Sequence, residues 1–239
     1  MISVCAIDLP SGRTIERDAD VVLPAASTIK LLVSLALWRA VRAGRVDPSA
    51  RVPAGAAPRT AGGGVLESLD DATAVTLADL DLLMLAVSDN AAANALIGLL
   101  GMDAVNAEAD RLGLAATRLR RLMSDDAAIA EGRENTTTAT DMARLMAELG
   151  RAGERRTVAA LARSQHVDII PRLLPPANRV VACKQGWRTG RVLHDVALIE
   201  EDGRQMVLAV LSSPPASREG LARVAAGVHA EMVAMNGTR

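Results

Sequence analysis

Strand-like segments stand at both ends of this 239-residue chain, and helix-like segments fill its middle. That layout narrows the possible folds sharply. Ile2–Leu9 is apolar and β-rich, Pro10-Ser11-Gly12 is a turn signal, and Arg13–Arg17 can return as a second strand. After Pro171, Arg179–Cys183, Val192–Glu200 and Gln205–Ser212 read as short strands, with Gly190 and Asp202-Gly203 as the turns between them. Hairpin turns join neighbours, so these strands run antiparallel. One sheet holds all five only if the two ends of the chain meet in space. The expectation is therefore an α/β (α+β) protein, a five-stranded antiparallel sheet flanked by helices with an all-helical domain inserted. Residues 1–52 and 167–239 would form the sheet domain and 53–166 the all-α domain, with an active site at their interface.

The middle is read from caps and breakers. Ser27 to Arg42 is an apolar helix with a polar start, stopped by Gly44. Pro48 to Gly64, with Pro53, Pro58 and three successive glycines, reads as a connection. Thr76-Leu-Ala-Asp79 is a capping box opening a helix to about Val87. Ser88-Asp89-Asn90 interrupts it. Helices follow to Leu100 and from about Asp103 to Leu112, and Gly113–Asn135 reads as a long loop. Thr140 can cap a helix over Asp141–Leu149, another spans roughly Glu154–Arg163, and Ser217–Met235 closes the chain as an amphipathic helix.

Composition excludes several functions. There is no Phe and no Tyr, and the only Trp residues are Trp38 and Trp187. The core must come from Leu, Val, Ala, Ile and Met, and stacking platforms of the kind single-strand binders use are ruled out. A net charge of −1 argues against nucleic acid or an anionic membrane as partner, and the apolar runs fall short of a membrane span. His166, His194 and His229 are scattered and show no zinc spacing, so no metal or cofactor is expected. Cys5 and Cys183 sit on strand-like segments and read as buried free thiols. No secretory signal is visible at Met1, which predicts a cytoplasmic protein if Met1 is the native start.

The chemistry begins with lysine. Of 27 basic residues only Lys30 and Lys184 are lysine. Arginine cannot be deprotonated in a protein, whereas a desolvated lysine can titrate near neutrality, so a site that needs a basic amine must keep lysine. Lys30 stands three residues after Ser27, on the same helical face, with Ser27 at a helix start that favours an anion. That is a nucleophile beside its base. Ser88 can relay a proton to a leaving amine, and the Asn90 amide can bind a substrate amide. Lys184-Gln185-Gly186 follows the apolar run Val180–Cys183, and Gly186 permits close approach to the backbone.

Taken in order, these elements resemble the active-site set of class A β-lactamases and penicillin-binding proteins. Ser27-Thr28-Ile29-Lys30 stands as S-x-x-K, Ser88-Asp89-Asn90 as S-D-N, and Lys184-Gln185-Gly186 where that family has K-T-G. Ala6-Ile7-Asp8…Ser11-Gly12-Arg13, Ser88–Asn94, Thr136–Thr138…Asp141-Met142-Ala143 and His194-Asp195-Val196 extend the resemblance over nearly the whole chain. It implies that Ser27 is acylated, with Lys30 as its base or proton shuttle. Ser88 would protonate the leaving nitrogen, and Lys184 would hold that hydroxyl and a substrate carboxylate. The backbone N–H groups of Ser27 and Trp187 would form the oxyanion hole. Asn90, Gln185, Gly186, Arg188, Thr189 and Arg204 would contact the substrate.

Three departures from that family stand out. Counting back roughly 14 residues from Thr136, where class A enzymes carry the loop glutamate that drives deacylation, reaches Leu122. Asp125, Asp126 and Glu131 are acids at other spacings. Gln185 replaces the threonine, and the family's N-terminal helix and export signal are not seen. Met123-Ser-Asp125…Glu134-Asn-Thr-Thr137 is similar to a β-lactamase-like branch of serine hydrolases. The expected protein is a serine hydrolase that takes a small-molecule acyl donor, a β-lactam or related amide or ester, through an acyl-Ser27 intermediate and turns β-lactams over slowly. The alternatives are a cytosolic acyltransferase or peptidase-like enzyme, and a β-lactam binder or sensor that does not turn over.

Overall fold

The computed structural model describes residues 1–57, 60, 62–151, 155–175 and 179–237. The strands are β1 (Ile2–Asp8), β2 (Thr14–Arg17), β3 (Leu23–Pro24), β4 (Arg51–Pro53), β5 (Ala74–Thr76), β6 (Thr136–Thr137), β7 (Arg179–Arg188), β8 (Val192–Glu201) and β9 (Arg204–Ser212). The helices are α1 (Lys30–Arg42), α2 (Leu77–Ala86), α3 (Asn90–Leu100), α4 (Met102–Arg111), α5 (Asp126–Ala130), α6 (Ala139–Arg151), α7 (Arg155–Leu161) and α8 (Arg218–Gly237).

The five-stranded sheet has the order β2-β1-β9-β8-β7, antiparallel throughout. The two chain ends meet where β1 pairs with β9, Ile2 opposite Ser212 and Asp8 opposite Met206. Successive residues point to opposite faces of a strand, and the buried residues sort accordingly. Val4, Ala6, Cys183, Ala197, Ile199, Leu208 and Val210 pack with Leu221, Ala225, Val228 and Met232 of α8. Cys5, Ala182, Val196, Leu198, Val207, Ala209 and Leu211 face the other core, shared with α1 and α6. Both cysteines are free and buried, and burial pushes the Cys5 thiol up to about 12.

The Thr76–Asp79 capping box is present, with the Thr76 side chain accepting from the Asp79 N–H. Several local expectations need correction. The connection after Pro48 contains β4, which pairs with β5; Pro53 sits at the end of that short two-stranded sheet, where no further ladder bond is needed. Pro58 lies outside the described residues. The loop Gly113–Asn135 contains the short helix α5, capped by Asp125. Helix α6 starts at Ala139, because Thr138 rather than Thr140 caps it: the Thr138 hydroxyl oxygen accepts from the Asp141 N–H at 3.0 Å. Helix α7 runs over Arg155–Leu161, and Glu154 lies outside the described residues. Among the described residues, no helix is long and apolar enough to cross a membrane.

Candidate active site

The α-helix expected to start at Ser27 starts at Lys30 instead, and Ser27 sits in a 3₁₀ turn over Ala26–Ile29. The Thr28 N–H and hydroxyl both return to the Ala25 carbonyl, at 3.2 and 2.6 Å, which closes the tighter i→i+3 turn. Residues i and i+3 eclipse in such a turn, so Ser27 and Lys30 still share a side. Two anchors hold the segment that leads into it. The Ala25 N–H donates to the Asn135 carbonyl at 2.8 Å. His194 on β8 lies 2.8 Å from the Pro24 carbonyl through Nε2. The Ser212 N–H donates to His194 Nδ1, so the ring proton is on Nε2 and is donated to Pro24. Burial pulls His194 down to about 4, which keeps the ring neutral.

Lys30 is wholly buried. Its Nζ donates to the Ser88 carbonyl (2.7 Å), the Ser88 hydroxyl (3.2 Å) and Asn90 Oδ1 (2.7 Å). Lys184 on β7 is equally buried and donates to the Gln185 carbonyl at 3.1 Å. Burial, and then the charge of Lys184, push Lys30 well below the usual lysine range. Burial pulls Lys184 down to about 8. Two like charges in low dielectric favour the loss of one proton. Among the described residues Lys30 has no hydrogen bond to Ser27; its three donors point at Ser88 and Asn90.

Ser88 occupies the break between α2 and α3 with φ +59°, in the left-handed region. Ala26 (φ +45°) and Ser124 (φ +57°) are also left-handed, and all three line one cavity. Such conformations cost on the order of 1–3 kcal/mol each and persist where the surroundings impose them. Asp89 supplies part of that imposition. Its carboxylate caps α3 through the Ala92 N–H (2.9 Å) and accepts from the N–H groups of Val65 (2.7 Å) and Leu66 (2.8 Å). Gly64 fits there because a Cβ would collide with the Asp89 carboxylate. Asn90 donates to the Gly62 carbonyl and to Ser124 Oγ, both at 3.2 Å, and accepts from Lys30, so its amide ties three segments together. Asn94 grips the Met123 backbone through both its N–H and its carbonyl.

Strand β7 extends through Lys184-Gln185-Gly186 to Arg188. A Cβ on Gly186 would lie 2.9 Å from the backbone nitrogens of both Ser27 and Thr28. The close approach that this glycine allows is thus the packing of β7 against the Ser27 turn. Gln185 points the other way and is fully buried. It donates to Asp168 (2.8 Å) and accepts from Arg218 (2.9 Å), so its side chain braces the strand. Trp187, Arg188 and Thr189 line the cavity. Arg204 does not: it lies at the far end of the sheet, 3.6 Å from Asp8. The sheet register explains this, since Arg204 opens β9 opposite Glu201 whereas Arg188 pairs with Val192 at the other end of β8.

The cavity measures about 500 Å³ and runs from Ser27, Ser88 and Asn90 to Met123, Ser124, Asp126 and Ile129. Its loop wall is held by ion pairs, Arg121 with Glu134, and Arg188 with Asp126 (3.2 Å) and Glu134 (3.4 Å). Leu122 packs against the apolar core. Asp125 spends its carboxylate on the Ala128 N–H at 2.9 Å. The acid on the cavity wall is Asp126. Sequence reading missed His166, Arg121 and Ser124 as lining residues; the three successive glycines, Gly62–Gly64, were the one local signal of a tight wall there.

The comparisons with known proteins agree with this fold. The model of the beta-lactamase enzyme family matches residues 1–231. A beta-lactamase from Sphaerobacter thermophilus is 30% identical, with a TM-score of 0.87 over 98% of this chain and 92% of that one. PBP-A is 26% identical, with a TM-score of 0.85 over 97% and 89%. An ancestral class A beta-lactamase, 24% identical with a TM-score of 0.84 over 97% and 94%, shares the fold. Among curated proteins, none matches the chain. With the family pattern spanning nearly its whole length and the fold reproduced, this chain belongs to the beta-lactamase enzyme family.

Proposed function

We propose that this protein is a serine hydrolase that forms an acyl ester on Ser27 from a β-lactam or related amide or ester and hydrolyses it slowly. The observation that carries the reading is a wholly buried Lys30 bonded to Ser88 and reached by the charge of the equally buried Lys184, beside a half-buried Ser27 at the cavity wall. Burial favours the neutral amine, which is what a base requires.

The steps follow from that arrangement. Lys30, on losing one of the three protons it donates, frees a lone pair that takes the Ser27 hydroxyl proton as Oγ attacks the carbonyl carbon. The backbone N–H groups of Ser27 and Trp187 stabilise the oxyanion; the tight apposition of β7 to the Ser27 turn supports that placement. The proton passes through the Ser88 hydroxyl to the leaving nitrogen as its bond to carbon breaks, with Lys184 keeping the local potential positive. Water then hydrolyses the ester.

Among the carboxylates of the cavity loop, that last step lacks an evident base. Leu122 packs on the core, Asp125 caps α5, and Asp126 and Glu134 are engaged by arginines. Loss of a positioned base typically costs a factor of roughly 100 to 10,000. The similarity to PBP-A supports the acylation step, since a point mutant of that protein is known as an acyl-enzyme complex with penicillin G. Intact-protein mass spectrometry after mixing with a panel of β-lactams tests the reading. A Ser27 adduct that persists for minutes is expected. Fast turnover without an adduct would make Asp126 the first candidate base, and its Asn variant should then trap the ester. No adduct and no turnover with any member would remove the β-lactam assignment.

A further inference from the structure

Strand β7 turns Lys184 and Gly186 toward the Ser27 turn and Gln185 and Trp187 to the outer side. The Trp187 ring meets the His166 ring edge to face, with centroids 4.9 Å apart and planes at 70°. The Arg218 guanidinium lies 5.7 Å from the Trp187 ring centroid. Arg218 is itself fixed, donating to Asp168 at 2.8 Å and to Gln185 at 2.9 Å, while Gln185 donates to the same Asp168 oxygen. Trp187 is thus held on one side by a ring and on another by a cation in a closed hydrogen-bond set.

This chain otherwise avoids aromatic residues. It has no Phe or Tyr, and its other tryptophan, Trp38, is buried with its N–H on Asp81. Trp187 instead remains 39% exposed, and with His166 it supplies the only rings among the described residues lining the cavity. A large ring left half in water and braced from behind is a poor core residue and a good recognition surface. It also follows directly after Gly186, whose backbone touches the Ser27 turn.

We infer that Trp187, steadied by His166 and Arg218, is a specificity-determining residue that selects acyl donors carrying a planar, π-bearing group close to the reacting carbonyl. The inference rests on the proposed acylation of Ser27. The ring acts through its face, separately from the backbone N–H of the same residue. A phenyl-sized group that stacks or sits edge-on there gains about as much as one aromatic pair, roughly 3- to 10-fold in affinity or rate.

The experiment compares two penicillins of similar size, one with an arylacetyl and one with a straight-chain acyl group. Second-order acylation rates are read by intact mass for the wild type, Trp187→Phe and Trp187→Leu. The wild type should favour the aryl donor roughly 3- to 10-fold, Trp187→Phe should keep most of that preference, and Trp187→Leu should bring the aryl-to-alkyl rate ratio close to one, whatever it does to the absolute rates. Trp187→Leu keeping the preference, or slowing both donors equally, overturns the inference. Equilibrium binding of the same two donors to Ser27→Ala separates this from the acylation reading. Tighter aryl binding that vanishes with the added Trp187→Leu change supports the inference even if no adduct forms on the wild type. Equal binding of both donors overturns it even if Ser27 is acylated.

Discussion

Two cavities of similar size lie at opposite ends of the same sheet. One, of about 500 Å³, holds Ser27; the other, of about 610 Å³, lies between the Glu201–Arg204 turn and the end of α8. In the second, several polar and charged groups are paired. Glu201 joins Arg179 at 2.5 Å and His229 at 2.9 Å, and Arg204 approaches Asp8 at 3.6 Å. Burial raises the Glu201 carboxyl, but bonds from Arg179 and His229 outweigh it and hold the group below its usual range. Behind the first cavity, Lys30 is bonded to its wall residues Ser88 and Asn90 and lies within reach of the charge of Lys184; both lysines are buried and pulled toward neutrality. Left-handed Ala26, Ser88 and Ser124 line that cavity, whereas the second has only Asp202, in a tight hairpin turn where that conformation is ordinary. Cavity volume therefore does not separate the two. Buried like charges and imposed backbone conformations do, because both carry a cost that packing alone gives no reason to keep.

The sharpest way to break this contrast is one substitution in each cavity. Ser27→Ala should abolish covalent labelling by a reporter penicillin, whereas His229→Ala should leave the labelling rate within about twofold. Equal loss in both would mean that the two cavities act together. Next comes Lys30→Arg, which should lower acylation at least about 100-fold, as Lys30→Ala does, because a guanidinium cannot serve as base at neutral pH. Retention of more than about a tenth of the rate would reduce Lys30 to a positive charge. Gly186→Ala puts a methyl against the backbone of the Ser27 turn. It should cost about 1–3 kcal/mol by chemical denaturation and slow acylation about tenfold. A stability loss with unchanged acylation would show that the turn tolerates displacement.

The smallest expected effect is on stability against pH. Folded Lys184 titrates at about 8 against an ordinary 10.5, so between those values the native state binds fewer protons than the unfolded chain, and stability rises with pH. Burial raises Asp195 to about 7 from an ordinary 3.8, so between those values the native state binds more protons, and stability falls as pH rises. Both costs are fully present between about pH 7 and 8. Below about pH 6.5 the lowered His194 binds fewer protons in the native state and offsets much of the Asp195 slope. The wild-type dip should therefore be shallow on its acid side, on the order of 1 kcal/mol, and deeper on its alkaline side. Lys184→Met should reduce the alkaline side of that dip, with buried Lys30 supplying the remainder, and His229→Ala should leave it in place. A flat wild-type profile from about pH 4 to 10 would mean that water or relaxation offsets the burial.

Leu122 shows how far counting along the chain can go. Its spacing from Thr136 marked it as the departure from the family pattern, and the fold places it on the core rather than at the cavity. Yet the same counting could not rank the nearby acids. Asp125 reads as a plausible base until its carboxylate is found capping α5, and Asp126, one residue on, reaches the cavity.

The sequence by itself determined the five strands, the capping box at Thr76, the break at Ser88 and the Ser27–Lys30 spacing. Each depends on periodicity, turn chemistry or a cap, and these act over a few residues. Tertiary structure alone decided that Gln185 braces the outer side of β7, that Arg204 lies at the far end of the sheet, that Gly186 admits the Ser27 turn, and that Trp187 stands between His166 and Arg218. A strand's pattern fixes which residues share a face. What that face meets depends on segments far away in the chain, and only their packing together settles it.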